Sequence, residues 1–360
     1  MRRKANLMYM RWRRIVIPAA VISAAGGTAA AIAGLYAVRK LTGLLVRRAV
    51  DLRGKVVLIT GGSRGLGLAM AREFGKAGCR IAICARDRHE LDEAERRLHR
   101  VGREVATFVC DVTQRADIAG MIRDVMERFG RIDILVNNAG EMRVAPVESL
   151  ERADFESAMA TMFWGPVDLT LEVLPHMRRQ RGGHIVNVTS VGGRVAVPRL
   201  IPYCCAKFAF VAFSDGLAAE LDRERIRVLT VVPGLMRTGS YLKAQFKGDA
   251  AHEFTWFGLA ANLPGFSAPA HYAARKIRRA VEAGRMTLTI TWPAKLLVRM
   301  EAMFPEVTRH LMAGVNEYVL PHPEGTKTLI AGKVLNESFK GIFRLFTTLG
   351  RSAATELNQG

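Results

Sequence analysis

Three residues have types and spacing that could do chemistry: Ser190, Tyr203 and Lys207. Tyr203 and Lys207 stand four apart in a stretch, 202–222, patterned as a helix, so they share one face. A tyrosine with a pKa of about 10 is a poor acid or base at neutral pH. A neighbouring ammonium favours the phenolate and draws the phenol toward a useful range. Ser190 closes a strand-like run, His184–Ser190, where its hydroxyl can hydrogen-bond a reacting oxygen. A Tyr-x-x-x-Lys pair alone reads as a surface pair. Its place after a glycine-rich turn makes it a proton-transfer site.

That turn lies in Val56–Gly67, VVLITGGSRGLG. The short run Val56–Ile59 suits a strand buried on both faces. Thr60 and the glycines Gly61, Gly65 and Gly67 follow, and a helical pattern opens at Leu68. Glycines let backbone approach phosphate, and a helix N-terminus offers free N–H groups and a positive dipole end. The residues after the second strand bear on the cofactor. NAD sites usually place a carboxylate there for the ribose 2′-OH. Here Ala85-Arg86 precedes any acid, and Arg64 lies inside the turn. Two guanidinium groups with no nearby carboxylate suit a 2′-phosphate, hence NADP(H). Asp87 reads as the cap of the next helix.

Further strands are expected at Arg80–Ala85, Val105–Cys110, Ile132–Asn137, His184–Ser190, Ile226–Val232 and Thr287–Thr291. Helical patterns alternate with them at Asp87–Val101, Thr113–Phe129, Glu148–Arg178 and Pro202–Asp222. Such alternation predicts an α/β fold: a Rossmann-like, doubly wound parallel sheet with helices on both faces. Asp111-Val112 ends the third strand and Asn137-Asn138-Ala139-Gly140 the fourth. Ligand contacts belong at that carboxyl edge.

Residues 52–291 resemble the short-chain dehydrogenase/reductase family. The resemblance rests on Thr60–Gly67, Asp111, Asn137–Gly140, Ser190, Tyr203-x-x-x-Lys207 and Pro233-Gly234 followed by Thr238, in the family's order and spacing. It implies a sheet of about seven strands, with Tyr203 as proton donor and acceptor. Lys207 would hold the nicotinamide ribose and lower the Tyr203 pKa, and Ser190 would orient the carbonyl. The implied cofactor site comprises Thr60, Gly61, Ser63, Arg64, Gly65, Leu66, Gly67, Arg86, Asp111, Val112, Asn138, Ala139, Gly140, Tyr203, Lys207, Pro233, Gly234 and Thr238. Asn137 would line the adenosine side, and Asp111 the adenine. One residue departs from the family pattern. Met162 stands where the family's catalytic asparagine is expected, and a thioether cannot donate a hydrogen bond. The resemblance also suggests a homodimer through the two long helices near 148–178 and 202–222.

The charge is uneven. Of a formal +20, the first 55 residues carry +11, from 12 Lys/Arg against Asp51. Basic residues flank Ile15–Val38, 24 residues without a charge, long enough to cross a bilayer as a helix. Residues 1–50 are therefore expected to be a membrane anchor. A cleaved export signal stays open through Arg13-Arg14. No groove-reading motif accompanies the arginines, so nucleic acid is not an expected partner. Cys79, Cys84, Cys110, Cys204 and Cys205 form no CxxC and read as small apolar residues in a reducing compartment. No metal site is expected. Together with cofactor supply, these cysteines favour the cytoplasmic face. Residues 51–291 would form the catalytic domain. Residues 239–266, apolar and aromatic, would form a substrate lid or simply pack the extension. Residues 292–360 would be helical, ending in a mobile or surface-bound tail.

The expected function is an NADP(H)-dependent oxidoreductase interconverting a carbonyl and an alcohol on an apolar substrate, lipid-, sterol- or retinoid-like. Met162 motivates an alternative, a non-catalytic NADP(H)-binding regulatory or scaffold protein. An isomerase or dehydratase using the same tyrosine also stays open.

Overall fold

A computed structural model describes residues 50–100, 104–322, 326–338 and 347–359, together with Gly34 and Tyr36. The expected anchor, residues 1–50, lies outside the described residues except for Gly34, Tyr36 and Val50. Among the described residues no helix is long and apolar enough to cross a membrane.

Seven strands form one parallel sheet: β1 (Val56–Thr60), β2 (Arg80–Ala85), β3 (Val105–Val109), β4 (Ile134–Asn137), β5 (Gly183–Val188), β6 (Ile226–Pro233) and β7 (Thr287–Ile290). Their order is β7-β6-β5-β4-β1-β2-β3, with every neighbouring pair parallel. The winding direction reverses between β1 and β4. The crevice at that reversal, beyond the strands' carboxyl ends, is where open α/β sheets bind ligands.

Each strand feeds two cores because its side chains alternate across the sheet. Val57 and Ile59 pack with Phe74 of α1 (Gly65–Lys76), Leu91 of α2 (Arg88–Leu98) and Ile277 of α8 (Ala270–Glu282). Val56 and Leu58 pack on the other face with Ile122 of α3 (Arg115–Phe129) and Val173 of α5 (Gly165–Arg179). This double burial explains the continuous apolar run of β1.

The stretch expected as one long helix is broken. Arg152–Met159 (α4) passes through a π-helical segment, Ala160–Trp164, into α5. Pro202 lies in the first turn of α6 (Ile201–Leu221), where a missing N–H costs little. The region 239–266 has no single period because it holds several elements. A short helix (Ser240–Lys243), a strand (Gln245–Gly248) and α7 (Ala250–Asn262) follow one another. Helices α9 (Trp292–Met303) and α10 (Pro305–Tyr318) follow β7. The tail, expected to be mobile or surface-bound, packs on the domain where described. Thr326–Ala331 pairs antiparallel with Gln245–Gly248, and α11 (Thr348–Glu356) leads to Leu357, which is buried in the first core.

Close backbone approach seats α6. After β5, Thr189 Oγ1 donates to the Val231 carbonyl at 2.6 Å, and Val191–Gly193 turns sharply. A Cβ at Gly193 would lie 2.6 Å from the Lys207 carbonyl oxygen, and one at Gly192 would lie 3.1 Å from Tyr203 Cε1. Gly193→Ala should therefore push α6 from the sheet and destabilise the protein by roughly 1–3 kcal/mol, read by denaturant unfolding. His184 of β5 yields a second expectation. Burial, then Arg227 and Lys55, depress its pKa to about 4 from 6.5. The unfolded chain therefore binds the proton first, and stability is lost as pH falls from about 6.5 to 4. His184→Gln should flatten that acid limb by roughly 2–3 kcal/mol in unfolding curves measured at pH 7 and pH 4.

Candidate active site

The Val191–Gly193 turn holds Ser190 against the first turns of α6. Ser190 Oγ accepts from the Gly192 amide at 3.1 Å, beside the Tyr203 ring. One turn on, Lys207 is buried, and its Nζ donates to the Val188 carbonyl at 3.0 Å. That nitrogen lies 5.8 Å from the Tyr203 ring centre and 5.4 Å from that of Phe210. The three residues singled out by spacing thus meet at the carboxyl end of β5.

In the site as it stands, burial dominates the electrostatics of the phenol. Burial pushes Tyr203 up to about 12, with only Ser190 pulling it down. The phenol keeps an accessible edge, but dense surroundings on its other sides make the upward direction physical. Lys207 lies one turn on, with its Nζ 5.8 Å from the phenol ring centre. Its ammonium is bonded to a strand carbonyl, and burial lowers its own pKa to about 8. The phenol is protonated at neutral pH, as an unshifted one also is.

Met162 is buried in the π-helical segment and packs with Ala158, Ala206 and Tyr203. A Cβ at Gly140 would be 3.6 Å from its sulfur. The thioether therefore fills space beside Tyr203 and offers no donor there.

The glycine turn is tight. A Cβ at Gly67 would lie 2.1 Å from the Gly61 carbonyl oxygen, and Gly61 and Gly65 have φ of +61° and +57°. The backbone at Gly65, Leu66 and Gly67 opens α1. Thr60 is buried. Its hydroxyl accepts from the amides of Asn138 and Ala139, at 2.9 and 3.0 Å. Asn138 Nδ2 returns to the Thr60 carbonyl at 2.9 Å. These bonds lock the end of β4, including Gly140, to the turn across the crevice.

Other expected site residues divide. Asn137 does not line the adenosine side. It is buried, and its Nδ2 donates to Asn187 Oδ1 at 2.9 Å and Thr170 Oγ1 at 3.2 Å. Asn187 then donates to Ser214 Oγ at 2.9 Å, so the chain of amides ties β4 and β5 to α6. Asp111 turns its carboxylate to the Thr113 amide and hydroxyl, both at 2.9 Å, closing the turn after β3. Val112 backs onto Gly165 of α5, where a Cβ would lie 2.7 Å from its carbonyl oxygen. At the end of β6, a Cβ on Gly234 would lie 2.4 Å from Thr291 Oγ1. Pro233 and Thr238 bracket this close approach, and Thr238 Oγ1 accepts from the Ser240 amide at 3.2 Å.

The two-arginine reading needs a correction. Arg64 does have a nearby carboxylate. Glu90 accepts from Arg64 Nη1 at 2.5 Å, from Ser63 Oγ at 3.1 Å and from Lys243 Nζ at 3.4 Å. Asp87 caps α2 as expected, accepting from the Glu90 amide at 3.1 Å. Arg86 is exposed beside this cluster. Glu90 and Lys243 were not anticipated, since Lys243 reaches the turn from 153 residues away. Three donors converging on one carboxylate form a donor set that suits an anionic group, as does the tight glycine turn.

The aromatics of 239–266 mostly form a third core. Tyr241, Phe246, Phe254 and Phe257 are buried with Val144, Leu200 and Cys204, and Tyr203 packs against them. The same segment leaves Leu259, Leu263 and Phe266 exposed, and Phe266 meets the exposed Trp292 ring at 6.1 Å.

Comparison with known proteins agrees with this arrangement. The short chain dehydrogenase family profile matches residues 55–246, over half of the chain. A fatty acyl-CoA reductase from Acinetobacter baylyi is 35% identical over 190 residues, 52% of this chain and 64% of the relative. Rattus norvegicus 17-beta-hydroxysteroid dehydrogenase 13 is 35% identical over 196 residues, 54% of this chain and 65% of the relative. The chain thus spans just under two thirds of these relatives' length. Gluconobacter frateurii L-sorbose reductase, solved with NADPH and L-sorbose, superposes with a TM-score of 0.61 at 26% identity, covering 67% of this chain and 97% of its own. With the seven-stranded parallel sheet and the matched region, the chain belongs to the short-chain dehydrogenase family of oxidoreductases.

Proposed function

We propose that this protein is an NADP(H)-dependent oxidoreductase that reduces a carbonyl on an apolar substrate, with Tyr203 as the proton donor. The observation that carries this reading is the meeting of Ser190, Tyr203 and buried Lys207 at the carboxyl end of β5, across the crevice from the glycine turn. The residues present fit the dinucleotide. Backbone at Gly65–Gly67 would take the pyrophosphate, and Ser63, Arg64, Lys243 and Arg86 would take a 2′-phosphate once Glu90 gives up its partners. Pro233–Thr238 would border the nicotinamide end. When bound, the cofactor supplies the hydride.

The chain's own residues do the rest. Ser190 holds the substrate oxygen beside the phenol. Tyr203, protonated at neutral pH as any phenol is, gives its proton to that oxygen as negative charge develops there. Lys207 holds positive charge near the phenolate left behind. Met162 contributes packing, so proton return to Tyr203 runs without a side-chain donor at that position. The non-catalytic alternative has no support beyond Met162.

The apolar substrate is supported by exposed Leu259, Leu263, Phe266 and Trp292 at the edge of the 239–266 segment. The names of the acyl-CoA and steroid relatives point the same way. Membrane attachment through residues 15–38 is supported by the uncharged run and its basic flanks, and the cytoplasmic side by cofactor supply and the free cysteines. A homodimer through α5 and α6 is supported by exposed Trp164, Leu171 and Phe208 on and beside them. The organisation proposed is an anchor at 1–50, a catalytic domain at 51–291 with its lid near 239–266, and an extension at 292–360.

Purified full-length protein should oxidise NADPH faster than NADH with long-chain aldehydes or steroid ketones. Tyr203→Phe should lower that rate by about 10²–10⁴-fold while leaving nucleotide binding intact. Turnover by Tyr203→Phe at the wild-type rate would overturn the assignment. The pH profile has a definite sign. Lys207 is charged below about 8 and neutral above it, so reduction should fall as pH rises through about 8. In Lys207→Arg, whose charge does not titrate in this range, any residual rate should lack that limb.

A further inference from the structure

The segment after the last helix sits in the cradle that the proposed function assigns to the pyrophosphate. The Gly65 amide, first in α1, donates to the Leu357 carbonyl at 2.8 Å. No side chain caps that helix, so a carbonyl of the distant segment satisfies the orphan N–H. Gln359 lies over the same glycine, and a Cβ there would be 2.8 Å from its Nε2. Asn358 Nδ2 bridges the Ser63 and Glu90 carbonyls at 3.1 Å each. Arg97 Nη1 holds the carbonyls of Thr355 and Glu356 at 2.9 Å. Helix α11 is also clamped to the proposed lid. A Cβ at Gly239 would lie 2.5 Å from Ala354 Cβ, and one at Gly350 would lie 1.9 Å from Asn262 Oδ1.

We propose that Leu357–Gln359 is an internal ligand of the nucleotide cradle, excluding NADP(H) until it is displaced. The inference rests on the nucleotide reading given above and adds a competitor to it. A pyrophosphate oxygen and the Leu357 carbonyl oxygen need the same Gly65 N–H, and the Gln359 side chain fills the space above it. Phosphate is the better acceptor at a helix N-terminus because it carries charge. The exchange is therefore driven by the nucleotide and opposed by the bonds of Asn358 and Arg97. Glu90 holds the seated state together twice over. Its backbone carbonyl holds Asn358, and its carboxylate holds Arg64 and Lys243, the groups proposed for the 2′-phosphate. The segment is continuous with α11, which touches the proposed lid at Gly239 and Asn262.

The test compares NADPH affinity by calorimetry in three full-length-based proteins: wild type, a chain ending at Glu356, and Asn358→Ala combined with Gln359→Ala. The last keeps buried Leu357 and guards against a folding defect, which thermal melting would expose. A segment seated in about nine molecules of ten weakens apparent affinity about tenfold. The truncated chain should therefore bind NADPH about tenfold more tightly, and the double variant measurably more tightly than wild type. Hydrogen exchange of wild type should show residues 357–359 losing protection when NADPH is added. Equal or weaker binding by both folded variants, with 357–359 still protected in the NADPH complex, would overturn the proposal and leave the nucleotide reading standing. Absence of NADPH binding by all three proteins would overturn both.

Discussion

Lys207 is a buried cation whose ammonium rests on the last carbonyl of β5, and the site is arranged around that bond. Taking an ammonium out of water is costly unless it is hydrogen-bonded. The Val188 carbonyl meets that need and sets the height of α6 against the sheet. The bond requires close approach, which the side-chain-free backbone at Gly192 and Gly193 permits. Once α6 is seated, Tyr203 lies one turn earlier and meets Ser190 on the same strand end. The chain of Asn137, Asn187 and Ser214 holds the layers beneath in register. A one-residue slip of α6 would leave two buried polar networks unsatisfied, which gives the arrangement its specificity.

The other half of the crevice is governed by positive ends that need acceptors. The first turn of α1 and the Arg64–Lys243 pair both favour negative charge. In the structure described here, internal groups meet both demands: the Leu357 carbonyl for the helix and Glu90 for the cations. Affinity for a dinucleotide is then a difference between external and internal acceptors. The third core, built from Tyr241, Phe246, Phe254 and Phe257, carries Lys243 and Gly239 to this place, which joins the substrate side of the crevice to the nucleotide side.

Much of this was legible because it is written in local patterns. The strand β1 is a continuous apolar run since both its faces are buried, and Asp87 is a helix cap by type and place. Ser190, Tyr203 and Lys207 were legible from their spacing. What was not legible depends on distance or direction. Asn137 belongs to a readable motif, yet its strand position turns it toward α5 and β5 and away from the crevice. Glu90 meets Arg64 only because α2 folds back over the glycine turn. Leu357 acts through a backbone carbonyl, which leaves no signature in residue type. The π-helical segment at Ala160–Trp164 adds a residue to a turn, so even periodicity there is misleading. The Tyr203 pKa is set by how much protein surrounds the phenol, a property of packing alone.

The most direct test of the central claim follows the hydrogen itself. Full-length protein would be incubated with NADPH carrying deuterium at the transferable position of the nicotinamide and with a long-chain aldehyde. The product would be read by mass spectrometry. The account predicts one deuterium on the carbinol carbon of the alcohol, formed in step with NADPH consumption and lost in Ser190→Ala. Tight NADPH binding without deuterium in any alcohol, across aldehyde and ketone substrates, would contradict it and favour a protein that reads the nucleotide without reducing anything.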